Sequence, residues 1–235
     1  MINAHDKKAL AVAFPGTHSQ TSALQWPYNS IFTRALTLQN FCTGAGSSLL
    51  ATGGIGIQAL KQRCGNVRIW DLLRPATRSC LASLSVHEGG CSALLTVPRS
   101  ALLLSGGVKG DIVAICCTSW APLVAIPGHK GTITSLVMAP NTTSRTLGHF
   151  VSGGADGDIK VWDLEMVLAT NDKLDTLAPT SCGDACVQLL ADCHEKSTQT
   201  LGATYGVLDL VATRSALLTC GADGRLVHRP WLLCS

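Results

Sequence analysis

The segment Gly154-Ala155-Asp156-Gly157-Asp158-Ile159-Lys160-Val161-Trp162-Asp163-Leu164 sets three carboxylates, Asp156, Asp158 and Asp163, around one tryptophan. Carboxylates so spaced could ligate calcium, act as catalytic acids, or accept hydrogen bonds that hold a strand. A calcium loop needs further oxygen donors, and here Asp158 is followed by Ile, Lys, Val and Trp, so the ligand pattern stops. A structural role is the reading the segment supports. Cys182, Cys186, Cys193 and His194 could satisfy a tetrahedral zinc ion, but none of their separations is the closely paired Cys-x-x-Cys turn of structural zinc sites. Ordinary reduced thiols are the expectation. Serines and histidines are scattered, with no glycine-flanked nucleophile elbow and no phosphate-cradling loop before a helix. Gly53-Gly54-Ile55-Gly56 leads instead into a hairpin with Lys61, Arg63 and Cys64, as a turn would. No enzymatic activity, metal or cofactor is expected.

The elements that position these residues are set by composition and pattern. Charged residues are 14% of the 235 and apolar residues 46%, a surface poor in charge compared with about 25% in ordinary domains. Much of it is expected to be covered. A dispersed net charge of +3 points to protein partners and away from nucleic acid or direct membrane insertion. The apolar stretch Ala9 to Phe14 meets Pro15 and Gly16 too early for a signal peptide, and no run spans a bilayer, so the chain reads as soluble. Eleven cysteines, odd in number and often at apolar strand positions (Cys80, Cys116, Cys220), fit a reducing cytosol. The adjoining Cys116 and Cys117 point to opposite strand faces and read as packing.

Val67-Arg68-Ile69-Trp70-Asp71-Leu72 returns as Ile159-Lys160-Val161-Trp162-Asp163-Leu164, with the tryptophans 92 residues apart. Half that step reaches Cys116, in a degenerate copy beginning Gly110-Asp111. Small-residue pairs close an apolar strand upstream of each copy: Gly53-Gly54, Gly106-Gly107, Gly153-Gly154 and Gly221-Ala222. Asp156-Gly157 and Asp223-Gly224 suit tight hairpins. Further apolar runs flank each hairpin, four short strands per unit, which predicts an all-β propeller of about four blades plus extra strands, an incomplete ring.

Gly128-His129, Ser152-Gly153-Gly154-Ala155-Asp156-Gly157 and Val161-Trp162-Asp163 together resemble one complete WD repeat. The order of "SSLLATGG", "NVRIWD", "LLLSGGVKGDIVAI" and "LTCGADGRL" is similar to the C-terminal WD repeats of the DmX-like (Rabconnectin) family, from about Leu24 to Leu233. The resemblance implies that His129, Ser152, Asp156 and Trp162 form a buried hydrogen-bonded lock, with Trp70, Asp71, Asp163, His87, Ser105 and Asp223 at other motif positions. Buried indole N–H, hydroxyl, imidazole and carboxylate groups need such mutual partners. Cys116 and Arg229 stand where tryptophan is expected in the second and last units, so neither is expected to complete the lock. The family's role implies a scaffold for vacuolar proton-ATPase assembly and vesicle acidification, in the cytoplasm and peripherally on endosomal or vesicle membranes. A general adaptor in signalling, trafficking or ubiquitin ligase complexes is the alternative.

The expected divisions are two strands of a partial preceding blade over 1–30, a blade with a long hairpin over 31–88, a degenerate blade over 89–128, the best-matched blade over 129–170, a polar insertion over 171–201 and a last partial blade over 202–235. Trp26 and Trp231 are expected in packing, and Trp120 in packing or on a partner-binding rim. About 17 strands fall short of the roughly 28 of a seven-bladed ring. Upstream sequence or another chain is expected to complete it.

Overall fold

The computed structural model describes residues 34–38, 49–54, 58–59, 62–63, 66–98, 100–140, 147–169, 185–195, 197–198 and 204–231; the strands expected before Pro27, Trp26 and Cys182 lie outside them. The first sheet contains β1 (Arg34–Leu38) and β2 (Leu49–Gly53); a small ribbon of β3 (Gln58–Ala59) and β4 (Gln62–Arg63) extends the link to β5 (Val67–Asp71), and β6 (Cys80–Leu84) completes the sheet in the order β1-β2-β5-β6. The second holds β7 (Cys91–Thr96), β8 (Leu102–Gly107), β9 (Asp111–Cys116) and β10 (Ala121–Pro127), in sequence order. The third holds β11 (Ile133–Met138), β12 (His149–Gly154) and β13 (Ile159–Asp163), then a short helix α1 (Leu164–Ala169), then β14 (Cys186–Leu190) at its outer edge. After a ribbon of β15 (Ser197–Thr198) and β16 (Thr204–Tyr205), the fourth sheet has three strands, β17 (Val207–Ala212), β18 (Ala216–Gly221) and β19 (Leu226–Pro230). All pairings are antiparallel.

Each sheet is a propeller blade. The innermost strands β1, β7, β11 and β17 pack side by side in that order, and among the described residues β17 makes no comparable packing with β1. The arc is open.

Side chains alternate across a strand, so a blade between two others buries both faces and its strands read as nearly continuous apolar runs. In the second blade Leu103, Val113 and Ile115 pack toward Ala51, Val67 and Ile69 of the first, while Leu104, Ile112 and Ala114 pack toward Ile133, Phe150 and Trp162 of the third. Val151, Ile159 and Val161 then meet Val207, Leu210 and Leu217 of the fourth. Each such aliphatic side chain, fully buried, contributes about 1.5–3 kcal/mol, and this two-sided burial explains the low charge content.

The small residues that close β2, β8, β12 and β18 answer to two separate steric causes. A Cβ added at Gly53, Gly106 or Gly153 would stand 2.7 Å from Cys91, Ile133 or Val207, at the start of the next blade's inner strand. A Cβ at Gly107, Gly154 or Gly221 would collide with His87, His129 or His194.

Three expectations change. The segment 171–201, read as an insertion, contains β14, the outer strand of the third blade, which pairs with β13 from Ile159 to Trp162. Its amide and carbonyl groups pair locally with a neighbour that no local sequence signal identifies. The helix α1 was not anticipated. In the second blade Ile115, opposite Leu103, takes the register position that Trp162 holds opposite Phe150; Cys116 corresponds to Asp163. Loops of unequal length make a fixed 46-residue step drift by one, and one residue exchanges strand faces.

Candidate functional site: polar braces at the blade junctions

The third blade builds its brace from three local pieces. The hairpin after β12 turns at Asp156-Gly157, where Gly157 has φ of 85° and its amide bonds to the Gly154 carbonyl at 3.1 Å; such a positive φ favours glycine. The turn directs the Asp156 carboxylate at His129, in the loop entering β11, with Nδ1 at 2.9 Å. His129 Nε2 lies 2.7 Å from Ser152 Oγ, which accepts the Trp162 indole N–H at 2.8 Å. With the imidazole proton on Nδ1, every member is satisfied: Nδ1–H donates to the carboxylate, the Ser152 hydroxyl donates to Nε2, and its oxygen accepts from the indole. The Lys130 and Asp158 amides also donate to Asp156, at 2.9 and 3.3 Å. Burial pushes the Asp156 carboxyl up, but His129 and these two amides outweigh it and hold it at about 2.

The expected four residues are therefore together, and every polar group among them is consumed by another. Lys160 lies over the Trp162 ring, 5.8 Å from its centroid, and its Nζ donates to the Gly128 carbonyl. The set ties the third blade's hairpin to the loop arriving from the second blade.

Incomplete versions stand elsewhere. In the second blade His87 pairs with Asp111 through Nδ1 and with Ser105 through Nε2 at 2.8 Å. In the fourth, His194 lies 3.1 Å from Asp223 and 2.8 Å from Thr219 Oγ1; the Arg225 amide foremost, with His194 and the Glu195 amide, outweighs burial and holds the Asp223 carboxyl at about 2. Neither has the tryptophan. In the first blade Trp70 donates its indole N–H to Thr52 Oγ1 at 2.9 Å, and Arg68 lies over the ring as Lys160 does in the third.

His194 is thus a brace residue. The zinc expectation sets it beside Cys186 and Cys193, but Cys186 packs against the core between the second and third blades and Cys193 against that between the third and fourth. Among the described residues no group of three His, Cys, Asp or Glu could hold a metal ion. Asp111 and Thr219 are the other brace members that sequence reasoning did not assign; the signal for Thr219 was its place before Cys220-Gly221, equivalent to Ser152.

The remaining carboxylates organise local backbone. Asp163 accepts the Glu165 and Met166 amides at 2.9 and 3.2 Å and so caps α1. Asp71 accepts the Leu73 amide at 3.0 Å and Arg74 Nε at 3.1 Å. Asp158 receives the Asp192 amide at 2.9 Å. Trp120, at φ 56°, packs against the core between the first two blades, and Trp231 donates to the Thr213 carbonyl at 2.7 Å. Of the adjoining cysteines, Cys117 is buried and pushed up to about 12, while the hydroxyl of Ser119, with the turn amides, holds Cys116 at about 7. No helix among the described residues is long and apolar enough to cross a membrane.

Antiparallel sheets arranged around inner strands define an all-β propeller, and the third of them carries the full His, Ser, Asp and Trp brace. The WD domain, G-beta repeat family matches residues 120–163. The chain is similar to DmX-like protein 1 of Homo sapiens, 28% identical over 210 residues that are 89% of this chain and 6% of that protein. It thus spans a small fraction of the length of that relative. It is also 29% identical to the WD repeat-containing protein 3 homolog of Dictyostelium discoideum, over 43% of this chain and 10% of that protein. Among solved structures, Chaetomium thermophilum Sqt1 bound to the N-terminus of the ribosomal protein L10 matches with a TM-score of 0.56 and 20% identity, over 78% of this chain and 41% of Sqt1.

Proposed function

We propose that the chain is a non-enzymatic protein-interaction scaffold of the DmX-like kind, acting in vacuolar proton-ATPase assembly, cytoplasmic and peripheral on endosomal or vesicle membranes. The observation that carries the scaffold reading is the brace itself: its histidines, hydroxyls and carboxylates face one another across blade junctions, where they hold backbone and leave loops and strand edges to meet partners. The proton-pump role is supported by the likeness to DmX-like protein 1, which extends over 89% of this chain. Sqt1, of the same fold, is bound to a protein N-terminus. The arc that the described strands leave open supports completion by further blades, from upstream sequence or another chain, because the fourth blade exposes Val211 on β17.

The test is proximity labelling of the protein at native levels with proton-pump subunits as the readout. Enrichment of the pump's cytosolic sector supports the reading. A different stable complex without pump subunits rejects the pump role and favours a general adaptor, the second reading that the likeness to WD repeat-containing protein 3 supports.

A further inference from the structure

One face of the fourth blade repeats, position by position, a face that the third blade buries. In the third blade Val137, Val151, Ile159 and Val161 meet the fourth. By strand register their equivalents one blade on are Val211, Leu218, Leu226 and His228. Val151 and Ile159 are fully buried, whereas Val211 and Leu226 are 47% and 74% exposed. One further position breaks the repeat: Cys220 stands where β2, β8 and β12 have Gly53, Gly106 and Gly153. At each of those glycines the atom nearest an added Cβ, at 2.7 Å, is a γ atom of the residue that opens the next inner strand, Cys91, Ile133 or Val207. A blade meeting Cys220 at that spacing must open its inner strand with a residue that has no γ atom.

We propose, on the reading that upstream sequence completes the arc, that this face is covered by the chain's own segment 5–26, with Ala9 set against Cys220. Ring order follows chain order at every described junction, so residues before β1 fall in the opening between the fourth blade and the first. His87 precedes Cys91, and His129 precedes Ile133, by four residues; His5 precedes Ala9 by the same four. Alanine ends at Cβ. The Cys220 sulfur then fills the space that a γ atom of the opposing residue fills at the other junctions, so bulk changes sides while the total volume is kept. The ring so closed has five units, within the usual four to eight blades.

Ala9→Cys tests this in the purified 235-residue chain. At the first junction an added Cβ on Gly53 stands 3.3 Å from the Cys91 Cβ, near the about 3.8 Å that a disulfide spans. Mild oxidation is therefore expected to join residues 9 and 220 within monomers, at a yield independent of concentration, as read by peptide mass spectrometry. In the wild type, Cys220 should react with iodoacetamide about tenfold more slowly than in Ala9→Ile, whose γ atoms push the segment off. Ala9→Ile should also open residues 1–26 to protease, and adding Cys220→Gly should close them again by restoring the glycine junction, a rescue that a merely misfolded variant would not show. A disulfide found only in dimers assigns the face to a second copy and overturns the proposal. Equal Cys220 reactivity in the wild type and Ala9→Ile overturns it as well. If Cys220 is then protected in native extract, a blade of another polypeptide covers it and ring completion stands; if it reacts there too, completion at this face fails with the proposal.

Discussion

In the third blade the brace carboxylate comes from the hairpin turn; in the second, Lys109 occupies that turn position and the carboxylate comes from Asp111, two residues further on, at the start of β9. The consequences differ in kind. Asp156 is 5% exposed and accepts from His129 and two amides, whereas Asp111 is 31% exposed and its Oδ1 is buried without a hydrogen-bond partner. With Ile115 in place of tryptophan, Ser105 receives no indole N–H, and its single hydroxyl proton can go either to His87 Nε2 or to the Val113 carbonyl at 3.2 Å. A brace can therefore keep its histidine–hydroxyl core while its carboxylate migrates, but it loses the closure that makes each group necessary. The second blade tolerates this because cores on both of its faces hold it between neighbours.

The largest contrast is expected from alanine. Asp156→Ala leaves His129 and two amides without their acceptor and should destabilise the protein by about 3 kcal/mol, and Asp111→Ala by about 1 kcal/mol. Urea unfolding of both variants measures the difference; equal losses would mean that the second brace is as closed as the third.

Acid should separate the braces next. The Asp156 carboxyl is held at about 2 instead of its ordinary 3.8, so the unfolded chain takes up the proton first. Its stabilisation, about 2 kcal/mol, is complete above about pH 4 and is lost as pH falls through 4 towards 2. Unfolding free energy measured across this window should fall for the wild type, and by less in Asp156→Asn. Parallel curves would assign acid sensitivity to other groups.

The smallest effect sharpens the account of carboxylate migration. Asp111→Asn should cost about 1 kcal/mol, and adding Lys109→Asp should return most of it by restoring the third blade's arrangement. Failure of the double variant to recover would show that the loop around His87 is shaped for Asp111 alone.

Local signals carried the reading far in some places and not at all in others. Gly157 and Gly224 announced their turns because only a few residues accept positive φ, and the alternation in Ile159 to Trp162 announced a strand buried on both faces. His129, Ser152, Asp156 and Trp162 were readable because all four keep their motif positions. His194 was not, since it lies beyond an outer strand in a stretch of polar residues, and its carboxylate partner is 29 residues away in the next blade. Asp111 escaped because its motif position holds a lysine.

By itself the sequence determined the repeat, the hairpin turns and the apolar faces, all of which follow from backbone sterics and side-chain periodicity within a few residues. The tertiary structure alone decided that His87 meets Asp111 and His194 meets Asp223, that β14 completes the third blade, and that Ile115 stands in register with Trp162. These depend on how loops of unequal length bring neighbouring blades into contact, a long-range condition that no local pattern encodes.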